Sequence, residues 1–189
     1  MIRVCEEERG LNIKVERKIV FITGGARSGK SIFALKEASK ISGEKAYIAT
    51  AEVLDEEMQQ RIENHRRQRG DEWITYEEPL RIVGLLGKIK GKYNVILIDC
   101  LTLWLSNLMH SNFNIDLEIE NLINVLRDLS LFTYHSSLFI ISNEVGLGIV
   151  PDNELARRFR DMAGILNQKI AEVADEVYLE VVGIPLRIK

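Results

Sequence analysis

A regular alternation of two sequence patterns, running from Lys18 to the end of the chain, constrains the fold most strongly. Short apolar runs rich in β-branched residues alternate with segments of helical periodicity, which is typical of βαβ units and a parallel sheet. Several of the runs are continuously apolar, as expected for strands buried on both faces. The predicted strands are 19–23, 46–50, 95–99, 138–142 and 177–182. The predicted helices are 30–41, 55–69, 80–90, 101–109, 116–129 and 153–174.

The end of the chain departs from this parallel pattern. The tail GIPLRIK predicts a turn into a final strand that pairs antiparallel with the strand before it. With right-handed crossovers, the sequence predicts an α/β fold: a doubly wound, mostly parallel sheet with helices on both faces and a C-terminal antiparallel strand. A chain of 189 residues, 46% of them hydrophobic, suits one domain over residues 18–189. Residues 1–17 are charged, stand outside the pattern and are predicted to form an N-terminal arm.

Composition excludes several classes of protein. The net charge of −3 provides no positive field to attract nucleic acid. Cys5 and Cys100 have no metal-binding or redox spacing. The first residues lack the apolar core of a signal peptide, and no apolar run has the length of a transmembrane helix. We therefore expect a cytoplasmic protein without a transmembrane segment.

The stretch IVFITGGARSGKS, positions 19–31, carries the clearest chemical signal. Gly24, four further residues, then Gly29, Lys30 and Ser31 fit the Walker A pattern between a strand and a helix. Glycines let backbone N–H groups turn toward phosphate oxygens, and the helix adds its positive N-terminal end. Lys30 is predicted to reach the β and γ phosphates, and the Ser31 hydroxyl is predicted to bind Mg²⁺.

A second signal agrees with the first. The run VILIDC places Asp99 at the carboxyl end of an apolar strand, where a Walker B acid holds the metal. The alternative is that Asp99 only caps the helix that follows it. Asn143 and Glu144 also follow a predicted strand, so either a substrate contact or a structural loop is compatible with their position.

His65 lies within the basic run RIENHRRQRG. Beside a polyphosphate, Arg66, Arg67 and Arg69 could bind the phosphates bidentately. The same positive charges would keep the His65 imidazole neutral, and a neutral imidazole is a competent nucleophile toward phosphorus. The alternative is a solvated basic helix in which His65 has no chemical role.

At this level the chain resembles a known family, the bifunctional adenosylcobinamide kinase / adenosylcobinamide-phosphate guanylyltransferases of cobalamin biosynthesis. The matching segments are TGGARSGKS, YIAT with DEEMQQRIENHRRQR, Trp73 with Glu77, VILIDCLTLWLSNL, and the stretch from SNEVGLGIVP to the end. The resemblance covers residues 18–189. EVGLGIVP followed by RxFRDxxGxxNQ is far more specific to the family than Walker A alone.

The resemblance implies two reactions in one chain. In the first, the substrate hydroxyl of adenosylcobinamide attacks the γ-phosphate of ATP or GTP. In the second, a histidine attacks the α-phosphate of GTP, and the GMP-histidine intermediate passes GMP to adenosylcobinamide phosphate, which gives adenosylcobinamide-GDP. The resemblance further implies a RecA-like P-loop NTPase fold, Mg²⁺ as cofactor and a homotrimer.

The position that matches the family's catalytic histidine is His65. The resemblance also carries nucleotide contacts to a larger set of positions, which includes both Walker motifs and the basic run. These are Gly24, Gly25, Ala26, Arg27, Ser28, Gly29, Lys30, Ser31, Ala49, Thr50, Ala51, Arg66, Arg67, Gln68, Arg69, Glu77 and Asp99.

One departure from the family pattern is visible. The family commonly has an Arg-Pro pair after the histidine helix, whereas this chain has Arg69 and Gly70, which predicts a changed turn and an intact site. Two other functions remain open from the residues alone. One is a P-loop kinase of another small hydroxyl substrate, and the other is a RecA-type switch module driven by nucleoside triphosphate.

Overall fold

The computed structural model of the chain describes residues 18–52, 70, 72–128 and 136–189. Three predictions lie outside these residues: the N-terminal arm 1–17, the helix 55–69 and the last position of the helix 116–129. The division into an arm and a domain over residues 18–189 therefore stays a prediction.

The described residues form seven strands and five helices. The strands are β1 (Lys18–Gly24), β2 (Lys45–Ala49), β3 (Trp73–Glu77), β4 (Val95–Asp99), β5 (Ser137–Ile141), β6 (Glu176–Val181) and β7 (Ile184–Arg187). The helices are α1 (Lys30–Ser39), α2 (Ile82–Ile89), α3 (Leu101–Met109), α4 (Ile115–Arg127) and α5 (Glu154–Val173).

One sheet contains all seven strands, in the order β3-β2-β4-β5-β1-β6-β7. Every neighbouring pair is parallel except β6 and β7, which are antiparallel. The predicted mostly parallel α/β sheet with a C-terminal antiparallel strand is thus confirmed. Parallel pairing brings the carboxyl ends of β1, β2, β4 and β5 to the same edge, where ligands bind in such sheets.

The predicted boundaries agree with the observed ones within two residues for most elements. Strand β4 and helix α3 have the predicted limits, and the largest differences lie at the carboxyl ends of α1 and α4 and at the start of α2. Strand β3 was not predicted. It is the edge strand next to β2, and Ile74 is 47% exposed, so the segment lacks the continuous apolar run of the central strands.

The two faces of the sheet carry separate cores. On one face, Ala34 and Ala38 of α1 pack against strand residues such as Ile22 and Leu97. The other face is covered by α2 to α5, and its fully buried residues include Trp104. The Trp104 Nε1 donates to the carbonyl of Leu80 at 2.9 Å, so the polar atom of this large side chain is satisfied.

Asparagine side chains cap the N-termini of two of the helices on that second face. The side chain of Asn114 accepts a hydrogen bond from the N–H of Leu117 at the start of α4. The side chain of Asn153 accepts one from the N–H of Ala156 at the start of α5. These N-caps confirm the predicted start of α5 and explain why each helix begins where it does. Within the described ranges, none of the helices is both long enough and apolar enough to cross a membrane.

Two leucines of α4 provide a matched test of this packing. Leu122 has no exposed surface, whereas Leu117 is 55% exposed on the same helix. We expect Leu122→Ala to lower the free energy of unfolding by about 2 to 5 kcal/mol, through lost burial and a cavity. Leu117→Ala should change it by only about 0.5 kcal/mol. Denaturant unfolding followed by circular dichroism measures both, and equal losses would contradict the described orientation of α4.

Candidate functional site

A tight loop joins β1 to α1 at the carboxyl edge of the sheet. Its backbone is unusual at three positions: Gly24 (φ +149°), Arg27 (φ +57°) and Gly29 (φ +109°). The two glycines of the Walker A pattern are therefore explained by backbone conformation, because side chains are disfavoured there. Helix α1 starts immediately afterwards at Lys30, so its N-terminal end faces the loop. This geometry is that of an anion-binding loop.

Lys30 is held inside this loop. Its ammonium donates to the carbonyl of Gly24 at 3.0 Å and to the Ser28 Oγ at 3.4 Å, and it also donates to the carbonyl of Gly25. The residue is only 6% exposed. Burial lowers the pKa of Lys30, while electrostatic interactions with Cys100, Asp99 and Glu180 act to raise it. The ammonium thus lies desolvated at the place where phosphate oxygens would replace the loop carbonyls as its partners.

The two predicted Walker motifs meet directly. The Ser31 Oγ donates to the Asp99 Oδ2 at 2.8 Å, although the two residues are 68 positions apart in the chain. A hydroxyl and a carboxylate are oxygen ligands of the kind Mg²⁺ takes from proteins when phosphates and water supply the rest. The described residues contain no cluster of three acidic, histidine or cysteine side chains that could hold a metal without phosphate. Ser31 and Asp99 therefore fit a magnesium site that nucleotide completes.

Tyr47 is a member of this cluster that the sequence analysis missed. Its hydroxyl donates to the same Asp99 Oδ2 at 2.7 Å. Tyr47 lies on β2, next to β4, and is 3% exposed. The available signal was a phenol within an otherwise apolar strand, because a buried tyrosine hydroxyl requires a partner.

Glu180 is a second missed residue. It interrupts the apolar strand β6, is 2% exposed and lies opposite Gly24 in the parallel register of β1 and β6. Burial raises the pKa of the Glu180 carboxyl, and the Lys30 ammonium opposes that rise. The sequence signal was an acidic residue inside a buried run, which is costly unless it serves a local purpose.

The predicted contacts on β2 and β3 lie beside this cluster. Ala49 pairs in register with both Asp99 and Glu77, so the three residues lie side by side at the carboxyl ends of β4, β2 and β3. Ala51 follows, half-buried. The structure thus brings these predicted residues to the same edge as the loop, and their contact with nucleotide remains a prediction.

Thr50 has a structural contact at this edge. It is fully buried, and its Oγ1 donates to the carbonyl of Cys100 at 2.7 Å and accepts from the Cys100 N–H at 2.8 Å. Asn107 Nδ2 donates to the Thr50 carbonyl at 2.8 Å. These bonds fix the end of β2 against the end of β4, beside Asp99. In this conformation Thr50 would support the site through backbone placement.

Asn143 and Glu144 lie in the loop after β5, also at this edge. The Glu144 N–H donates to the Gly24 carbonyl at 2.9 Å, and the Asn143 N–H donates to the Thr102 Oγ1 at 2.6 Å. The backbone of this loop therefore braces the loop between β1 and α1. Whether the Asn143 and Glu144 side chains contact substrate stays a prediction.

The remaining predicted residues are on the segment that follows Glu52. His65, Arg66, Arg67, Gln68 and Arg69 lie outside the described residues. The predicted nucleophile and phosphate-binding arginines are consequently not tested by the geometry.

Comparison with known proteins identifies the family to which this site belongs. Residues 20–188 match the family model described as cobinamide kinase / cobinamide phosphate guanyltransferase. The chain belongs to this family. The resemblance stated from the motifs is therefore confirmed, and the chain is an enzyme of the transferase class with a kinase-type nucleotide loop. Nucleotide use agrees with the geometry around Lys30.

Two curated relatives support membership in the cobinamide kinase / guanyltransferase family. The bifunctional adenosylcobalamin biosynthesis protein CobP of Pseudomonas aeruginosa is 42% identical over 170 residues, which cover 89% of this chain and 95% of that protein. The bifunctional adenosylcobalamin biosynthesis protein CobU of Escherichia coli is 36% identical, over 90% of this chain and 99% of that protein. Both alignments extend over nearly the whole length of the relatives.

A solved structure, the VirB11 ATPase from the Brucella suis type IV secretion system, is also similar to the chain. It is 13% identical, the match covers 92% of this chain and 49% of that one, and the TM-score is 0.45. Assignment to the cobinamide kinase family rests on the sequence matches and not on this likeness.

Two adjacent glycines test the backbone of the loop. A Cβ at Gly24 would collide with the Glu180 backbone carbonyl, and the positive φ adds strain, whereas a Cβ at Gly25 would meet nothing within 4 Å. We expect Gly24→Ala to lower the free energy of unfolding by about 1 to 3 kcal/mol or more. Gly25→Ala should leave it within about 1 kcal/mol. Denaturant unfolding of the nucleotide-free protein measures both, and an unchanged stability of Gly24→Ala would contradict the described loop.

Proposed function

We propose that the chain phosphorylates adenosylcobinamide with ATP or GTP and then transfers GMP from GTP to the product, through a GMP-histidine intermediate on His65. The final product is adenosylcobinamide-GDP. Membership in the cobinamide kinase / guanyltransferase family supports both steps. The bifunctional names of the Pseudomonas and Escherichia relatives support the presence of both steps in one chain.

The observation that carries the proposal is the meeting of Lys30, Ser31 and Asp99 at the start of α1. The Ser31 Oγ donates to the Asp99 Oδ2, and Ser31 directly follows the buried Lys30 in the chain. A triphosphate in this loop would replace the Gly24 carbonyl as a hydrogen-bond partner of the Lys30 ammonium, whose positive charge would then stabilise the phosphates. Catalysis of phosphoryl transfer consists mainly of such positioning and charge neutralisation.

In the kinase step, the hydroxyl oxygen of adenosylcobinamide bonds to the γ-phosphorus, and the bond from that phosphorus to the bridging oxygen breaks. ADP or GDP leaves, and the hydroxyl proton passes to solvent. Lys30 neutralises charge that develops on the phosphates. Ser31 and Asp99 are the residues that would hold Mg²⁺, which when bound neutralises phosphate charge.

In the transfer step, a neutral imidazole nitrogen of His65 bonds to the α-phosphorus of GTP, and pyrophosphate leaves. A phosphate oxygen of adenosylcobinamide phosphate then bonds to the same phosphorus, and the histidine is released. This role of His65 rests on the family resemblance and on its basic neighbours, which favour the neutral ring. Residues 50–52, which precede that segment in the sequence, follow β2 at the edge where Asp99 lies.

Further parts of the proposal follow from the resemblance and from composition. We propose that Arg66 to Arg69, Ala49 to Ala51 and Glu77 contribute to nucleotide binding. We also propose a homotrimer located in the cytoplasm, with no nucleic acid partner. The large exposed side chains of Leu147 (87%) and Ile149 (96%) are consistent with a subunit contact.

Covalent capture of GMP tests the proposed nucleophile. Incubation with GTP labelled at the α-phosphate should attach the label to the protein, in a bond that is labile in acid and stable in alkali. His65→Ala should abolish the labelling, because no other proposed group forms the phosphoramidate. His110→Ala is the matched control, since His110 is an exposed residue whose ring Nδ1 lies against the Ser106 carbonyl. Equal labelling of His65→Ala would assign the nucleophile elsewhere.

Removal of the loop lysine tests whether one triphosphate site serves both reactions. We expect Lys30→Ala to lower both phosphorylation and GMP transfer by at least about 100-fold, because each loses a buried cation that stabilises phosphate charge. Lys36→Ala, an exposed lysine on the same helix, should retain both activities. Phosphorylation without any covalent GMP in the wild type would reduce the proposal to a kinase alone.

The oligomeric state is tested separately. Light scattering during size-exclusion chromatography should give three times the mass of one chain. A monomer at the working concentration would contradict the trimer and leave the chemistry untouched.

A further inference from the structure

Glu180 is a buried carboxylate for which neither proposed reaction gives a role. It is 2% exposed, and its Oε2 is one of three buried side-chain atoms in the described part of the chain that have no hydrogen-bond partner. Native proteins rarely leave such an atom unpaired without a reason specific to the site. The position of Glu180 suggests the reason, because it lies under the phosphate loop.

The loop rests directly on this residue. Glu180 pairs in register with Gly24, and a Cβ added at Gly29 would lie 3.1 Å from the Glu180 Oε1. Just beyond, the Gly183 N–H donates to the Ser28 carbonyl at 2.8 Å. The carboxylate therefore borders the residue immediately before Lys30, with no side chain between them.

The charges around Glu180 come mainly from the loop. Among the described residues, the Lys30 ammonium is the charged group that opposes the rise in the pKa of Glu180, because it favours the ionised carboxylate. On β6 itself, the nearest titratable neighbour on the same face is Tyr178, which donates to Glu176 at 3.1 Å. Cys100 and Asp99 also act on Lys30, burial raises the pKa of the Cys100 thiol, and Arg27 is exposed at the tip of the loop. Glu180 and Asp99 therefore share one buried cation.

A triphosphate in the loop changes this balance. Its oxygens require the Lys30 ammonium and place several negative charges near Glu180. Like charges at short range disfavour ionisation of a carboxylate, and burial raises the pKa of Glu180 in the same direction even before the nucleotide binds. A protonated Glu180 would remove the repulsion and end its own interaction with the Lys30 charge, which leaves more of that charge to the phosphates.

We propose that Glu180 is a positioning residue that competes with the triphosphate for Lys30 and takes up a proton from solvent when the nucleotide binds. The inference rests on the proposed triphosphate site. It predicts that nucleotide affinity of the wild type falls as pH rises, because ionised Glu180 must then be protonated for binding. Since Glu180 competes with the nucleotide at the binding step, KM should change more than kcat.

The decisive variant is Glu180→Gln, which keeps the shape of the side chain and removes its charge. The control is Glu176→Gln, four residues earlier on the same strand, where the carboxylate pairs with Lys18 at 2.6 Å and Arg187 at 3.0 Å. Both variants lose one negative charge from β6, but the Glu176 carboxylate is about 13 Å farther down the strand from the loop. Thermal unfolding of each variant establishes that it is folded.

The probe is α,β-methylene-GTP, in which a methylene group replaces the oxygen between the α- and β-phosphorus, so attack on the α-phosphorus cannot release pyrophosphate. Without adenosylcobinamide as acceptor, its γ-phosphate is not transferred either. Calorimetric titration in two buffers of different ionisation enthalpy, at about pH 8.5, measures affinity and proton uptake together. We expect the wild type and Glu176→Gln to take up more protons per nucleotide bound than Glu180→Gln does, and the difference should be a substantial fraction of one proton. Glu180→Gln should bind about three- to tenfold more tightly at this pH, and the difference should shrink as the pH falls.

The outcomes separate this inference from the function on which it rests. Equal proton uptake and equal affinity in wild type and Glu180→Gln would overturn the role of Glu180 and leave the nucleotide site intact. The same shift in Glu176→Gln as in Glu180→Gln would also overturn it, as an effect of net charge. If the probe binds none of the three proteins, the proposed triphosphate site itself is wrong.

Discussion

The hydrogen bond between Ser31 and Asp99 is the constraint on which the rest of the site depends. Its donor follows the loop after β1 and its acceptor ends β4, and β5 lies between these two strands. The contact forms only if β1, β5 and β4 are all parallel and in the observed register, with Lys18 and Val95 both opposite Ser137. A slip of one residue between β4 and β5 would turn Asp99 to the other face, and a slip between β1 and β5 would displace the loop that carries Ser31. The register of the sheet thus determines whether Ser31 and Asp99 meet in this protein.

The surroundings of that contact are shared among several strands. Tyr47 on β2 holds the same carboxylate oxygen as Ser31, and Thr50 at the end of β2 fixes the backbone of Cys100. On the other side, the loop after β5 donates from Glu144 to the Gly24 carbonyl. Asp99 and the phosphate loop are therefore held by hydrogen bonds from neighbouring elements, which limits how far either can move when a ligand arrives.

The sequence predicted those parts of the fold and site whose signals are local. Lys30 and Ser31 follow a glycine spacing within one loop, and the apolar run before Asp99 marks both the strand and its end. Tyr47 and Glu180 could not be assigned to the site in the same way, because their roles depend on which strand lies next to which. Strand β3 was missed because an edge strand with Ile74 half exposed has no continuous apolar pattern. His65 was prominent in the sequence, but it lies outside the described residues, so its role remains a prediction.

The contact between Gly183 and Ser28 has a consequence for biosynthesis. The first strand of the sheet acquires its β6 neighbour, and the loop after it acquires its lower support, from residues that the ribosome adds long after β1. Likewise, the Ile19 N–H donates a hydrogen bond to the Asp175 carboxylate, which lies 156 positions later in the chain. Such distant pairings form late because the intervening chain must first be made and brought together. A nascent chain that has been made only as far as Ser31 would thus still lack the contacts from β6 and Gly183 that hold the phosphate loop. The loop acquires them only when β6 is complete.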